Sequence, residues 1–292
     1  MAAPQPTQTL SVQGVAVRCQ GPADAPLVLM LHGWPDTLDL WDGLTERLSP
    51  RWRCARLTWP GFDPDAPMPA RSLEALCALL REVVDTLSPQ APVVLVLHDW
   101  GCLFGYEFAM RHPDRVARVV GADVGDFNSG ALWRSWNARA RAGVMGYQLW
   151  LALAWGLGRL GARAWADALT RRMARWLRCP APAQRVHHGM NAPYAMQWFG
   201  ALGGLRQAQQ VRLNMPLLFV YGERKPFMFH SKRWLERVAA RPGNAVLGLA
   251  NGHWVMCGRS AQAFEQAVQD WLAREAPPLR PSAPADGPDH LH

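Results

Sequence analysis

Short apolar runs alternate along the chain with longer stretches of helical spacing. The runs at Leu10–Cys19, Pro26–Leu31, Cys54–Thr58, Pro92–Leu97, Val116–Ala122, Pro216–Tyr221 and Ala245–Leu249 read as strands. Several are continuously apolar rather than alternating, which is the pattern of parallel strands covered by helices on both faces. Between them, Leu73–Leu87, Cys102–Arg111, Ser231–Ala239 and Ala261–Glu275 carry the spacing of helices. This alternation predicts an α/β fold, a mostly parallel, doubly wound sheet.

The rhythm breaks once. From about Phe127 to Arg212 the sequence is rich in Trp, Ala and Arg, with no strand pattern. It predicts a helical insertion above the carboxyl edge of the sheet. The division expected is a core of residues 1–126 and 213–275, a helical cap over 127–212, and a disordered proline-rich tail over 276–292. Within the insertion, Val144–Gly161 approaches the length of a membrane span, but Gln148 and Arg159 interrupt it. A buried or interfacial cap helix is the preferred reading, and membrane-surface contact the lesser one.

Composition narrows the classes. With 49% apolar and 18% charged residues, the 292-residue chain can build a large core, and fifteen tryptophans suggest aromatic walls around a cavity or an interface. The net charge of +8 comes mostly from scattered arginines, the densest group being Arg159, Arg163, Arg171, Arg172, Arg175 and Arg178. No nucleic-acid motif accompanies them, so a solvated helix face is expected and nucleic acid is not a partner. The six cysteines form no C-x-x-C pair, which argues against a zinc site or a disulfide framework. With no signal-peptide pattern at the amino end, a cytoplasmic protein is expected.

One candidate for chemistry is Asp99, in VVLVLHDWG, where a strand pattern stops and a helix pattern begins. A sharp strand-to-helix turn would expose that carboxylate beside the positive end of the helix, as a nucleophile. Aspartate is also a common helix cap. The stretch alone leaves both readings open.

Three motifs in order, H-G-W-P-D at His32–Asp36, H-D-W-G at His98–Gly101 and N-G-H-W at Asn251–Trp254, resemble the α/β-hydrolase superfamily. More narrowly, they resemble its aspartate-nucleophile branch of epoxide hydrolases and haloalkane dehalogenases. The similarity runs from about Leu10 to Ala273 and is weakest in the insertion. The resemblance implies that Asp99 is the nucleophile and that His253 activates water against the resulting alkyl ester. It also implies that the backbone N–H groups of Trp34 and Trp100 hold the oxyanion. Many relatives place the triad acid in a Y-G-x-x-D pattern, but here Lys225 stands at that position. Others place it one strand earlier, at Asp123, which becomes the expected acid with Glu223 and Asp126 in reserve.

An epoxide leaves as an alkoxide and needs a proton, which this branch takes from cap tyrosines; Tyr147 and Tyr194 are the candidates. A halide wants N–H donors, and Trp100 matches a halide-binding tryptophan of the dehalogenases. Leu97 and Cys102 depart from the small residues common around an epoxide hydrolase nucleophile. The expectation is therefore an epoxide hydrolase acting on a small hydrophobic organic substrate and water. Haloalkane dehalogenation is the alternative, and an inactive binding protein of this fold the second. No metal or organic cofactor is implied, membrane contact is disfavoured, and a homodimer is left open. Phe127, Trp198, Phe199, Phe227, Met228 and Trp254 are candidate walls of the pocket.

Overall fold

A computed structural model describes residues 7–274. The disordered tail expected over 276–292 lies outside the described residues.

In chain order the elements are β1 (Gln8–Val12), β2 (Val15–Gln20), β3 (Leu27–Leu31), α1 (Asp42–Leu48), β4 (Arg53–Leu57), α2 (Leu73–Leu87), β5 (Val93–His98), α3 (Trp100–Arg111) and β6 (Val116–Ala122). Then come α4 (Gly130–Ser135), α5 (Ala138–Arg159), α6 (Arg163–Trp176), α7 (Ala192–Phe199), β7 (Leu217–Gly222), α8 (Lys232–Ala239), β8 (Ala245–Leu249) and α9 (Ala261–Ala273). The strands form one sheet in the order β1-β2-β4-β3-β5-β6-β7-β8. Only β1–β2 and β2–β4 pair antiparallel. This is the α/β-hydrolase fold.

The continuous apolar runs have a direct cause. In β3 and β5, Leu29, Leu31, Leu95 and Leu97 pack on one face of the sheet with α2 and α3. Their neighbours Val28, Met30, Val94 and Val96 pack on the other face, beneath α1 and α9. Alternate side chains point to opposite faces, so a strand covered on both sides must be apolar throughout. Each such buried side chain contributes about 1.5–3 kcal/mol.

Two expectations about elements are corrected. The single strand expected over Leu10–Cys19 is a hairpin, with β1 and β2 reversing at Gln13 and Gly14. Both turn residues have positive φ, 49° and 80°, as a tight two-residue reversal demands. The apolar positions change phase by one residue there, from Leu10 and Val12 to Val15, Val17 and Cys19, as a reversal requires. The short helix α1, absent from the expected elements, lies over Met30 and Val28 with Leu44 and Leu48 buried.

Between β6 and β7 the described elements are helical, α4 to α7. No described helix is long and apolar enough to cross a membrane. All six cysteines are unpaired thiols. The parallel strands all run towards one edge, where the segments after β3, β5, β6, β7 and β8 come together. Ligands of open α/β sheets bind at such a carboxyl edge.

Candidate active site

Asp99 follows β5 at the turn into α3, with φ 52° and ψ −122°. Its side chain makes no capping hydrogen bond, so capping does not explain it. A non-glycine residue there is strained by on the order of 1–3 kcal/mol, a cost tolerated where a function depends on the geometry. The turn is tight enough that a Cβ on Gly33 would strike the Asp99 carboxylate and the Trp100 amide, and one on Gly101 would strike the carbonyls of Leu31 and His32. The glycines of two motifs are thus required by the close approach of the β3 and β5 loops.

The two carboxylate oxygens of Asp99 have different surroundings. Oδ1 accepts the Trp34 backbone N–H at 2.7 Å. Oδ2 faces His253 Nε2 at 3.4 Å. Of the two expected oxyanion donors, Trp34 is engaged, while the Trp100 amide lies beside the carboxylate against Gly33.

His253, on the loop after β8, turns its other nitrogen, Nδ1, to Asp123 Oδ2 at 2.5 Å. Asp123 is fully buried at the end of β6, with φ 70°, so both acids that face His253 sit on strained backbone. Its Oδ1 accepts the Gly222 N–H at 2.9 Å and an ion pair from Lys225. The reserve acids are placed elsewhere. Asp126 caps local turns, accepting from the Ser129 hydroxyl and from the Ser231 N–H and hydroxyl, and Glu223 is exposed.

Charge sets the protonation states. Burial works against the Asp123 carboxylate, but the Lys225 and His253 charges outweigh it and hold it well below the usual carboxyl range. Burial likewise opposes ionised Asp99, and hydrogen bonding and charge from His253, with help from the Trp34 N–H, keep it low. Burial would lower His253, yet the two flanking carboxylates, Asp123 above all, raise it to about 9. The resting site is therefore carboxylate, imidazolium, carboxylate, with a buried lysine behind.

Tyr147 on α5 and Tyr194 on α7 both line the cavity that contains Asp99 and His253, their rings 6.1 Å apart and nearly perpendicular. Burial and the nearby Asp99 charge push both phenols above their ordinary value, the Gln148 hydrogen bond opposing this at Tyr147. Trp198 donates to Gln148, and Gln148 donates to the Tyr147 oxygen, at 3.1 and 3.3 Å. Gln148, the polar break in an apolar helix, thereby orients the phenol. Among the described residues, neither phenolic O–H has a protein acceptor.

The cavity holds about 780 Å³. Trp34, Phe227 and Trp254 line it; Phe127, Trp198, Phe199 and Met228, expected as walls, do not. Trp100 is also outside the wall, its ring packed against Tyr194 at 5.1 Å and Phe104 at 6.1 Å. Leu97 fills the space over Gly105, and the Cys102 thiol points to the Ala122 carbonyl at 3.5 Å. Both departures from the family pattern therefore belong to the packing of α3 on the sheet.

Four residues escaped the sequence reading as parts of the site. Lys225 was noted only as a missing acid. Asn191 accepts the Trp34 indole N–H at 2.8 Å and donates to Thr170. His98, kept neutral by burial and by the His253 charge, bonds the His253 carbonyl through Nε2 at 3.3 Å. Asp36, raised to about 7 chiefly by burial, accepts the Trp254 indole N–H at 2.8 Å and ties the first motif to the third. His98 and Asp36 stand inside the quoted motifs and Lys225 in the Y-G-E-R-K stretch, but Asn191 carries no sequence signal.

Comparison with known proteins identifies the family. The family described as "alpha/beta hydrolase fold" matches residues 26–255. A cis-3-alkyl-4-alkyloxetan-2-one decarboxylase of Xanthomonas campestris is 34% identical over 110 residues, 35% of this chain and 37% of that protein. Epoxide hydrolase 1 of Caenorhabditis elegans is 28% identical over 123 residues, 40% of this chain and 30% of that one. The matched stretch thus spans well under half the length of these curated relatives. The crystal structure of epoxide hydrolase A from Mycobacterium thermoresistibile superposes with a TM-score of 0.65 at 22% identity, covering 92% of this chain and 98% of that one.

Proposed function

Because the chain belongs to the alpha/beta hydrolase fold family, we propose that its site is that of an epoxide hydrolase, converting a hydrophobic epoxide to a diol through an ester on Asp99. The observation that carries this reading is the distribution of free donors. Two phenols whose O–H groups have no protein acceptor among the described residues line the cavity beside Asp99. The Trp34 indole, which would suit a halide, is held by Asn191, and the Trp100 indole is turned to the Tyr194 oxygen, outside the cavity wall.

In this mechanism Asp99 Oδ2 attacks a ring carbon, the C–O bond of the epoxide breaks, and the leaving oxygen takes a proton from Tyr147 or Tyr194. The carboxylate becomes a neutral ester. That removes one of the two negative charges that raise His253, so the ring gives its proton, through solvent, to the tyrosinate left by ring opening and becomes a base. Its Nε2 then takes a proton from water attacking the ester carbonyl. The oxyanion forms on Oδ1, beside the Trp34 and Trp100 amides. Collapse expels the alkoxide, which takes the proton held by His253, and the carboxylic acid left on Asp99 gives its proton back to the ring, restoring carboxylate and imidazolium. Asp123 orients the imidazole and balances its charge. We assign residues 127–212 as the cap that carries the tyrosines, and a small hydrophobic epoxide and water as the reactants.

The test is turnover of a panel of aryl and alkyl epoxides, haloalkanes and a 3,4-dialkyl-oxetan-2-one, measuring diol, halide and carbon dioxide. Diol formation supports the proposal; halide or carbon dioxide without diol overturns it. In His253→Gln the ester should accumulate, and mass spectrometry should place it on Asp99.

A further inference from the structure

The eight large apolar side chains that stand exposed among the described residues all lie between 127 and 212. Six belong to the α5–α6 hairpin: Trp150, Leu153, Leu157, Leu160, Trp165 and Trp176. The first four recur at helical spacing along one face of α5, and Leu160, at the turn into α6, is 86% exposed. Trp150 bonds the Leu169 carbonyl at 3.1 Å, so the outer faces of the two helices are continuous. A chain alone in water rarely exposes an apolar surface of this kind.

Charge selects what covers it. Residues 127–212 contain twelve arginines, no lysine and one acid, Asp167, so the segment at +11 is more positive than the whole chain at +8. Asp167 is itself occupied by the His188 ring and N–H. Arg159, Arg163, Arg172, Arg175 and Arg178 are exposed, and none has an acid partner among the described residues. A second copy of this chain would bring a like-charged face against this one. Exposed tryptophan and leucine interleaved with arginine instead suit the headgroup layer of an anionic bilayer.

We propose that the outer face of the α5–α6 hairpin docks this protein on anionic lipid surfaces, lying on the bilayer without crossing it. Trp176, Leu177 and Arg178 also line the cavity, so the docked face adjoins it. The sequence alone disfavours membrane contact because it does not reveal which side of α5 faces solvent. The docking proposal rests on this surface and stands apart from the reaction assigned to the cavity.

The test is co-sedimentation of the full chain with vesicles of phosphatidylcholine alone and of phosphatidylcholine with equimolar phosphatidylglycerol. The expected result is at least tenfold stronger partition to the anionic vesicles, weakened by salt. Leu160→Glu with Trp165→Ser should abolish it, and Arg163→Glu with Arg172→Glu should weaken it at least tenfold, each without changing turnover of a water-soluble substrate. Equal partition to both vesicles, or none, overturns the proposal. So does a dimer in sedimentation equilibrium that Leu160→Glu with Trp165→Ser dissociates.

Discussion

Lys225 and Asp123 form an ion pair on the carboxylate oxygen that His253 does not use, with both side chains almost wholly out of water. The lysine thus occupies the segment where many relatives carry the acid, and it contributes a countercharge to an acid that comes from one strand earlier. Asp123 divides its charge between two cations. Each is weakened as a partner by the other, and together they let a carboxylate remain ionised in a buried position.

Replacing Lys225 by Met should leave Asp123 to His253 alone. The imidazolium is then better stabilised, so the pH at which His253 becomes a base for ester hydrolysis rises by about one unit. Breaking a buried pair should also lower stability by about 3 kcal/mol. Single-turnover hydrolysis of the ester across pH reads the first effect, and denaturant unfolding the second. An unmoved profile would show that Lys225 serves packing only.

Asp123→Asn should slow ester hydrolysis by about 10²–10⁴, the size expected when a catalytic imidazole loses its orienting acid, while attack by Asp99 continues. Rapid-quench detection of the covalent adduct separates the two steps. Full turnover would remove Asp123 from the mechanism.

Tyr194→Phe and Tyr147→Phe should each slow ester formation from an epoxide, by about tenfold to a hundredfold singly and up to about 10⁴ together. Ester hydrolysis in the same variants should be little changed. Gln148→Leu, which removes the hydrogen bond that orients Tyr147, should resemble a weak form of Tyr147→Phe.

Asn191→Leu strands one buried donor, the Trp34 indole N–H, while the Thr170 hydroxyl keeps its bond to the Ala166 carbonyl. The unsatisfied group costs about 1–3 kcal/mol, measurable in denaturant unfolding. Trp34 also holds Asp99 Oδ1, so ester hydrolysis should slow in the same variant.

His253 is raised from its ordinary 6.5 to about 9, so its protonated form stabilises the fold. That contribution is complete below about pH 6.5 and is lost as pH rises through 9. Asp36, raised from 3.8 to about 7, favours the fold when neutral; this contribution is complete below about pH 3.8 and is lost progressively as pH rises to 7. Unfolding free energy should therefore fall in two stages, between about pH 4 and 7 from Asp36 and between about 6.5 and 9 from His253. Asp36→Asn, which retains an acceptor for Trp254, should remove the first stage and leave the second.

Much of the frame was legible because local rules and tertiary demands agree there. Val116–Ala122, Ala245–Leu249 and Leu73–Leu87 are the elements expected, residue for residue. The β1–β2 reversal was marked only by Gly14 and a one-residue phase change in the apolar positions, since Gln13 takes a positive φ that its residue type does not advertise. The motifs around Asp99 and His253 were readable because each is a short run whose glycines allow one sharp turn. Lys225, Asn191 and the orienting role of Gln148 were not, because each acts through a partner between 1 and 157 positions away whose approach depends on packing.

The sequence by itself determined a two-sided parallel sheet, the turn that lifts Asp99, and the order of the motifs, since periodicity and backbone freedom are properties of neighbouring residues. Only the tertiary structure decided that Lys225 shares Asp123 with His253, that Trp34 lends its indole to Asn191 and its amide to Asp99, and that the apolar side of α5 faces outward. Those outcomes depend on which surfaces meet when distant segments pack, and burial then sets the charge and the free hydrogen-bond donors of every group in the site.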